Sequence, residues 1–143
     1  MQPALRLGEF VATLALAQDN AFGQPLESQL RSCLLASWLA EAAGFDAAWA
    51  IELFRNAFTQ TTYLGAKTES IDIGTCIAWG FVRSPMTMAM SAMDIDEISG
   101  GRMILGLGSG TRSVNEKWYS VPFEHPPAPR MREYVQVMRA IWR

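Results

Sequence analysis

The stretch that most narrows the choice of fold is Ser99–Arg112, SGGRMILGLGSGTR. Ser99-Gly100-Gly101 reads as a helix stop, because glycine past a helix end takes the left-handed conformation without a Cβ clash. The run Met103-Ile104-Leu105 has no polar alternation, so it predicts a strand buried on both faces, as in parallel sheets covered by helices. Gly106-Leu107-Gly108-Ser109-Gly110 then closes the run as a glycine-punctuated turn. Helix, stop, buried strand and glycine loop make one αβ step. In α/β folds the ligand sits at the C-terminal ends of such strands.

The other segments follow the same order. Leu5–Leu16 is a first candidate strand, and Gly23-Gln24-Pro25 supplies turn chemistry before a helix that runs from Pro25 to about Ala43. Leu30, Leu34 and Trp38 share one face of that helix, and Gly44 stops it. Phe45–Ile51 predicts a strand ended by the carboxylate of Glu52, Asn56–Lys67 a helix, and Ile71–Ile77 a β-branched strand. After a loop over Ala78–Arg83, Ser84-Pro85 opens a helix with serine as cap and proline in the first turn. Met88, Ala92 and Ile95 form its apolar stripe, opposite Asp94, Asp96 and Glu97. Ser113–Pro129 is irregular and proline-rich. A last helix begins near Arg130 with Met131, Val135, Met138 and Trp142 facing a sheet.

The expected order is therefore four consecutive βα units, which implies a parallel sheet with right-handed crossovers. A complete (β/α)₈ TIM barrel needs about 250 residues, and this chain has 143. The expected fold class is α/β of TIM-barrel type, with residues 1–143 as a single N-terminal half-barrel of about four units.

Composition excludes several functions. The net charge of −2 argues against nucleic acid or an anionic membrane as partner. One histidine, His125, leaves no histidine-rich metal site, so no metal is expected, and His125 itself reads as a surface loop residue. Cys33 and Cys76 have no CxxC spacing and read as reduced, mostly buried side chains. The tryptophans and methionines read mainly as core. Phe10–Ala17 is apolar but too short for a membrane span and lacks the flanks of a signal peptide. A cytoplasmic location is expected.

Three segments resemble a known family. Leu39–Trp49 (LAEAAGFDAAW) is similar to its helix-to-strand pattern LAEELGFDSVW, and Ala66–Thr75 (AKTESIDIGT) is similar to AATERIRLGT. Asp94–Leu107 (DIDEISGGRMILGL) is similar to TLDELSGGRFRLGLG, and the tail Trp118–Trp142 continues the pattern. The chain thus resembles the luciferase-like monooxygenase family of flavin- or deazaflavin-dependent (β/α)₈ oxidoreductases. The tail most resembles the deazaflavin-using, methylene-tetrahydromethanopterin-reductase-like branch.

That resemblance implies a cofactor, deazaflavin (coenzyme F420) or FMN, and a small-molecule substrate. It implies that Thr75, Cys76 and Ile77, at the end of the third strand, hold the ring. A non-proline cis peptide is expected at Cys76–Ile77, with an ordinary trans bond as the other reading. Gly108, Ser109 and Gly110 match the family's cofactor-contacting loop, and Asn115 lies in the same loop. The Gly106-x-Gly108-x-Gly110 spacing is not the dinucleotide fingerprint, whose third glycine falls elsewhere.

Where the family often ends its second strand with an acid–histidine pair, this chain has Glu52-Leu53. Glu52 is the candidate catalytic carboxylate, read either as contacting ring or substrate or as a solvated strand end. Leucine next to it removes the usual titratable group. Arg83, where the family often has RHP, braces either a phosphate or the helix start.

The implied activity is hydride transfer between a reduced deazaflavin or flavin and a small organic molecule. The alternatives are a flavin-dependent monooxygenase and a non-catalytic truncated barrel that acts as a cofactor-binding or oligomer-forming subunit. Half a barrel has unpaired edges. The expected macromolecular partner is therefore a second copy or a complementary barrel half.

Overall fold

The apolar runs pair in parallel. The computed structural model describes residues 26–53 and 55–143. In chain order the elements are α1 (Leu26–Ala42), β1 (Ala47–Ala50), α2 (Ala57–Gly65), β2 (Asp72–Thr75), β3 (Ala78–Trp79) and a 3₁₀ turn (Gly80–Val82). They continue with α3 (Pro85–Ser99), β4 (Met103–Ile104), β5 (Leu107–Gly108), a π-helical turn (Val114–Trp118) and α4 (Pro127–Ile141). The predicted first strand, Leu5–Leu16, lies outside the described residues, as do the side chains of Leu30 and Cys33.

β1, β2 and β4 form a three-stranded parallel sheet in that order, with Ala47 opposite Asp72 and Ile73 opposite Met103. β3 and β5 form a second parallel pair, with Ala78 opposite Leu107 and Trp79 opposite Gly108. The predicted third and fourth strands are thus each broken in two at the same level. Ala78–Arg83, expected as a loop, instead contains β3 and the 3₁₀ turn. The reason is local: Ala78 N–H donates to the Gly106 carbonyl at 2.8 Å, which restarts the ladder after the break.

Helix boundaries follow their caps. Asn56 accepts the Phe58 amide on its side chain and opens α2. Ser84 accepts the Thr87 amide ahead of Pro85 and opens α3. Gly100 and Gly101 end α3 at φ 71° and 85°, conformations that a side chain would strain. Met88, Ala92 and Ile95 are buried as expected, while Asp94, Asp96 and Glu97 face solvent. α3 packs against both α2 and α4. One core joins Phe58 and Leu64 of α2, Ile73 of β2, Met88 and Ile95 of α3, and Tyr134 and Met138 of α4.

The strand at Met103–Leu105 departs from the expectation of two buried faces. Ile104 is 39% exposed, and among the described residues β4 pairs only with β2, so its far edge meets no strand. The aromatic and methionine side chains also divide more evenly than expected. Trp79, Met88 and Met138 are buried, whereas Trp118, Trp142, Met86, Met90 and Met93 are exposed. Trp142, on the predicted sheet-facing stripe, still donates its indole N–H to the Ala89 carbonyl at 3.3 Å.

Two side chains hold the N-terminal ends of the strands. The Arg102 guanidinium donates to carbonyls of Ser99, Gly65 and Thr68 at 2.7, 3.0 and 2.8 Å, and also to the carbonyl of Ile71. It thereby satisfies the carbonyl ends of α2 and α3, which have no partner within their helices. Glu41 near the end of α1 accepts with one oxygen from the amides of Glu69, Ser70 and Ile71 and from the Ser70 hydroxyl. The Ser70 amide contributes most to holding the Glu41 carboxyl at about 2.

Because the folded state lowers this group, its stabilisation is complete above the unfolded value of 4.5 and is lost as pH falls toward 2. Solvent screening leaves the group worth about 1 kcal/mol. Urea denaturation of Glu41→Gln is expected to show that deficit at pH 6, with the gap to wild type closing near pH 2. A gap that persists unchanged at acid pH would contradict the assignment.

Candidate functional site

The strand breaks create the site. Thr75 ends β2 fully buried. Its hydroxyl donates to the Gly106 carbonyl at 2.8 Å and accepts the Gly106 amide at 3.1 Å. One side chain thus replaces a rung of the ladder. A Cβ on Gly106 would fall on the Thr75 carbonyl, and one on Gly108 would fall on the Ile77 side chain. At Gly106, where the obstacle is backbone, only glycine allows the two strands to approach this closely. The Cys76–Ile77 peptide is cis, at the bond expected from the sequence.

Thr75 thus meets Gly106, the Ile77 side chain lies against Gly108, and the parallel pairing after the breaks sets Trp79 opposite Gly108 and near Gly110. Cys76 is exposed, which corrects the expectation of a buried thiol: a side chain at the strand break is not covered by a packed helix. Ser109 donates its hydroxyl only to the neighbouring Gly110 carbonyl, at 3.0 Å. Gly110 takes φ 66°, and a Cβ there would come within 3.0 Å of the Asn115 amide nitrogen and 3.6 Å of the Trp79 indole.

Asn115 sits beneath this loop with no exposed surface. Its Nδ2 donates to the carbonyls of Ser109 at 2.9 Å and Thr111 at 2.8 Å, so the nitrogen is the atom facing them. Among the described residues its buried Oδ1 has no hydrogen-bond partner. A buried acceptor in this condition calls for a donor. The sequence places Asn115 in the loop, but the π-helical turn that buries it leaves no pattern in VNEKW.

Glu52 lies just past β1 and is 3% exposed, which corrects the reading of a solvated strand end. Its Oε2 accepts the Trp79 amide at 2.7 Å and Arg83 Nη1 at 2.9 Å, and its Oε1 pairs with Arg83 Nη2. Arg83 is thus turned onto Glu52 and the Trp79 carbonyl. The guanidinium carbon also stands 5.1 Å above the centre of the Phe58 ring. Breaking such a buried pair by removing one partner costs about 3–5 kcal/mol. Leu53, the next residue, is 45% exposed.

Sequence reading missed an aromatic cluster. Trp79 meets Trp118 and Tyr119 edge to face, with ring centroids 6.1 and 5.8 Å apart. Burial, and secondarily the negative charge of Glu52, raise the Tyr119 phenol above its ordinary value. Burial pushes Tyr134 up to about 12; its hydroxyl donates to the carbonyls of Arg83 and Ser84 at 3.1 and 3.2 Å. His125 is exposed, in agreement with the surface-loop reading. No cluster of metal-ligating side chains occurs among the described residues, and none of their helices is long and apolar enough to cross a membrane.

Comparison with known proteins matches residues 12–143 to the family model described as luciferase-like monooxygenase. The chain is similar to 5,10-methylenetetrahydromethanopterin reductase of Archaeoglobus fulgidus, with 36% identity over 72% of this chain and 31% of that protein. Among solved structures it resembles the coenzyme F420-dependent tetrahydromethanopterin reductase of Methanopyrus kandleri, with TM-score 0.62, 29% identity, and coverage of 70% of this chain and 33% of that one. It shares its fold with the oxygenating constituent of 3,6-diketocamphane monooxygenase of Pseudomonas putida in complex with FMN. The TM-score is 0.74 at 16% identity, covering 84% of this chain and 36% of that one. The chain spans about a third of the length of the curated relatives it matches.

The loop geometry makes a direct prediction. Asn115→Leu, close in volume, leaves the Ser109 and Thr111 carbonyls without their donor and is expected to cost about 2 kcal/mol. Ser109→Ala, which loses a bond only to its neighbour, is expected to stay within about 0.5 kcal/mol of wild type. Thermal or urea unfolding of the two variants checks the order. Equal losses would contradict the anchoring role of Asn115.

Proposed function

This chain belongs to the luciferase-like monooxygenase family, and on that basis we propose that it carries the cofactor-ring side of a deazaflavin-dependent oxidoreductase acting on a small organic substrate. The observation that carries this reading is the wall formed where β3 and β5 pair. There Thr75 meets Gly106, the Ile77 side chain lies against Gly108, and a Cβ at Gly106 would collide with backbone. Coenzyme F420 is favoured over FMN because the two reductases, whose names specify tetrahydromethanopterin chemistry and in one case F420, share 29–36% identity with this chain. The FMN-bound neighbour supports the fold alone at 16% identity.

When bound, a reduced deazaflavin supplies a hydride, whereas a reduced flavin also reacts with oxygen. The residues of this chain orient and shield. Thr75, Cys76 and Ile77 form the floor for the ring. Gly108, Ser109 and Gly110 bring backbone close to it, where amides suit ring or phosphate oxygens. The partnerless Asn115 Oδ1 under this loop fits a donor arriving with the ligand or with an ordered water. Leu53 and the aromatic edges of Trp118 and Tyr119 contribute apolar surface. Glu52, the expected catalytic carboxylate, enters this reading as a buried and paired group.

A second reading concerns what completes the barrel. The open edge of β4 and the face of α4 enclose a cleft of 490 Å³ lined by Met103, Leu105, Leu107, Val135, Met138, Arg139 and Trp142. A largely hydrophobic set of side chains beside a strand edge suits further strand–helix units, supplied by a second copy or a complementary half.

Titration of the 143-residue chain with F420 and with FMN, followed by fluorescence and by sizing of the same samples, tests both readings. The expected result is micromolar binding of F420 by an oligomer or a completed barrel. Binding of FMN but not F420 would transfer the reading to the monooxygenase branch. Binding of neither would remove the enzyme assignment for this chain.

A further inference from the structure

We infer that the Glu52–Arg83 ion pair is a positioning clamp that fixes the Trp79 backbone, and through it the cofactor wall, without exchanging a proton with the substrate. Glu52 Oε2 holds the Trp79 N–H at 2.7 Å, and Arg83 Nη1 reaches the Trp79 carbonyl at 3.4 Å. Both backbone polar groups of one residue are thus gripped by the two halves of one ion pair. That residue directly follows the Cys76-Ile77-Ala78 segment and pairs with Gly108 across the wall. Its indole packs against Gly110, so a shift at Trp79 carries to the glycine loop as well.

The clamp is itself anchored from several elements. Glu52 is carried by the exit of β1, and Arg83 by the turn before α3. The guanidinium lies over Phe58 of α2, and Tyr134 of α4 holds the Arg83 and Ser84 carbonyls. The Glu52 and Arg83 side chains are only 1% and 14% exposed. Both carboxylate oxygens accept hydrogen bonds from Arg83 or from the Trp79 amide, so the charge of Glu52 is committed to the clamp. Desolvation offsets much of the attraction in an ion pair buried in this way, so its net contribution to stability is small while loss of one partner is costly.

The inference rests on the cofactor reading above, and its test separates the two. In the full chain without cofactor, the Trp79 amide proton is expected to resonate downfield and to exchange slowly, since its acceptor is a buried carboxylate. Glu52→Gln is expected to move it upfield, raise the F420 dissociation constant at least tenfold, and leave the shape of the kcat pH profile intact. Arg83→Lys, which retains the charge and one donor, is expected to retain most of the binding. If Glu52→Gln does not fold, Arg83→Lys carries the test, with a smaller amide shift and a two- to fivefold weaker affinity. Unchanged Trp79 resonance and affinity in the folded variants would overturn the clamp. So would loss of one limb of the pH profile at unchanged affinity, which would make Glu52 a proton donor or acceptor. A wild-type chain that binds neither F420 nor FMN sinks the cofactor reading, and the clamp is then decided by the Trp79 amide alone.

Discussion

The contact between Thr75 and Gly106 governs the geometry of the whole C-terminal side of the sheet. A buried threonine hydroxyl satisfies both the amide and the carbonyl of Gly106, so the two strands stay together where their regular ladder fails. The absence of a Cβ at Gly106 is what permits it, because that atom would occupy the Thr75 carbonyl. Once the ladder is interrupted on both strands, it can restart as β3 and β5 with the chain re-aimed. The Ile77 side chain then lies against Gly108, and Trp79 stands opposite Gly108 and near Gly110.

The polar groups that tie the helices to this sheet fall at opposite ends and differ in kind. At the N-terminal ends of the strands, Arg102 and Glu41 bind backbone groups of helix termini and of the loop before β2. Those bonds close off one side of the fold and involve nothing in the candidate site. At the C-terminal ends, Glu52 and Arg83 bind each other and the backbone of Trp79. The division matches the general logic of α/β barrels, in which one end carries stability and the other carries chemistry. The helices α2, α3 and α4 fill the layer between with Phe58, Leu64, Met88, Ile95 and Met138.

Much of the architecture was legible because its signals are local. Ser84-Pro85, Gly100-Gly101 and the Met88, Ala92, Ile95 stripe each depend on a few adjacent residues, and each occurs as read. The glycine loop and its neighbour Cys76–Ile77 were legible as family motifs. The pairing of Glu52 with Arg83 was not, since 31 residues separate them and nothing in either neighbourhood names the other. The same holds for the burial of Asn115, which depends on a π-helical turn with no sequence pattern, and for the meeting of Trp79 with Trp118 and Tyr119.

α4 starts at Pro127, ahead of the Arg130 that the sequence suggests, but the alternation of helices and parallel strands, the start of α3 at Ser84-Pro85 and its stop at Gly100-Gly101 were determined by the sequence itself. Those follow from backbone sterics and from the spacing of apolar residues, which act within a few positions. Only the tertiary structure decided that strands three and four break together, that Glu52 is a buried partner of Arg83 and not a solvated strand end, and that Ile104 and Cys76 are exposed. A carboxylate at the end of a strand reads the same whether solvent or a guanidinium meets it. Its role is set by which distant side chain the packing of α2, α3 and α4 delivers to it.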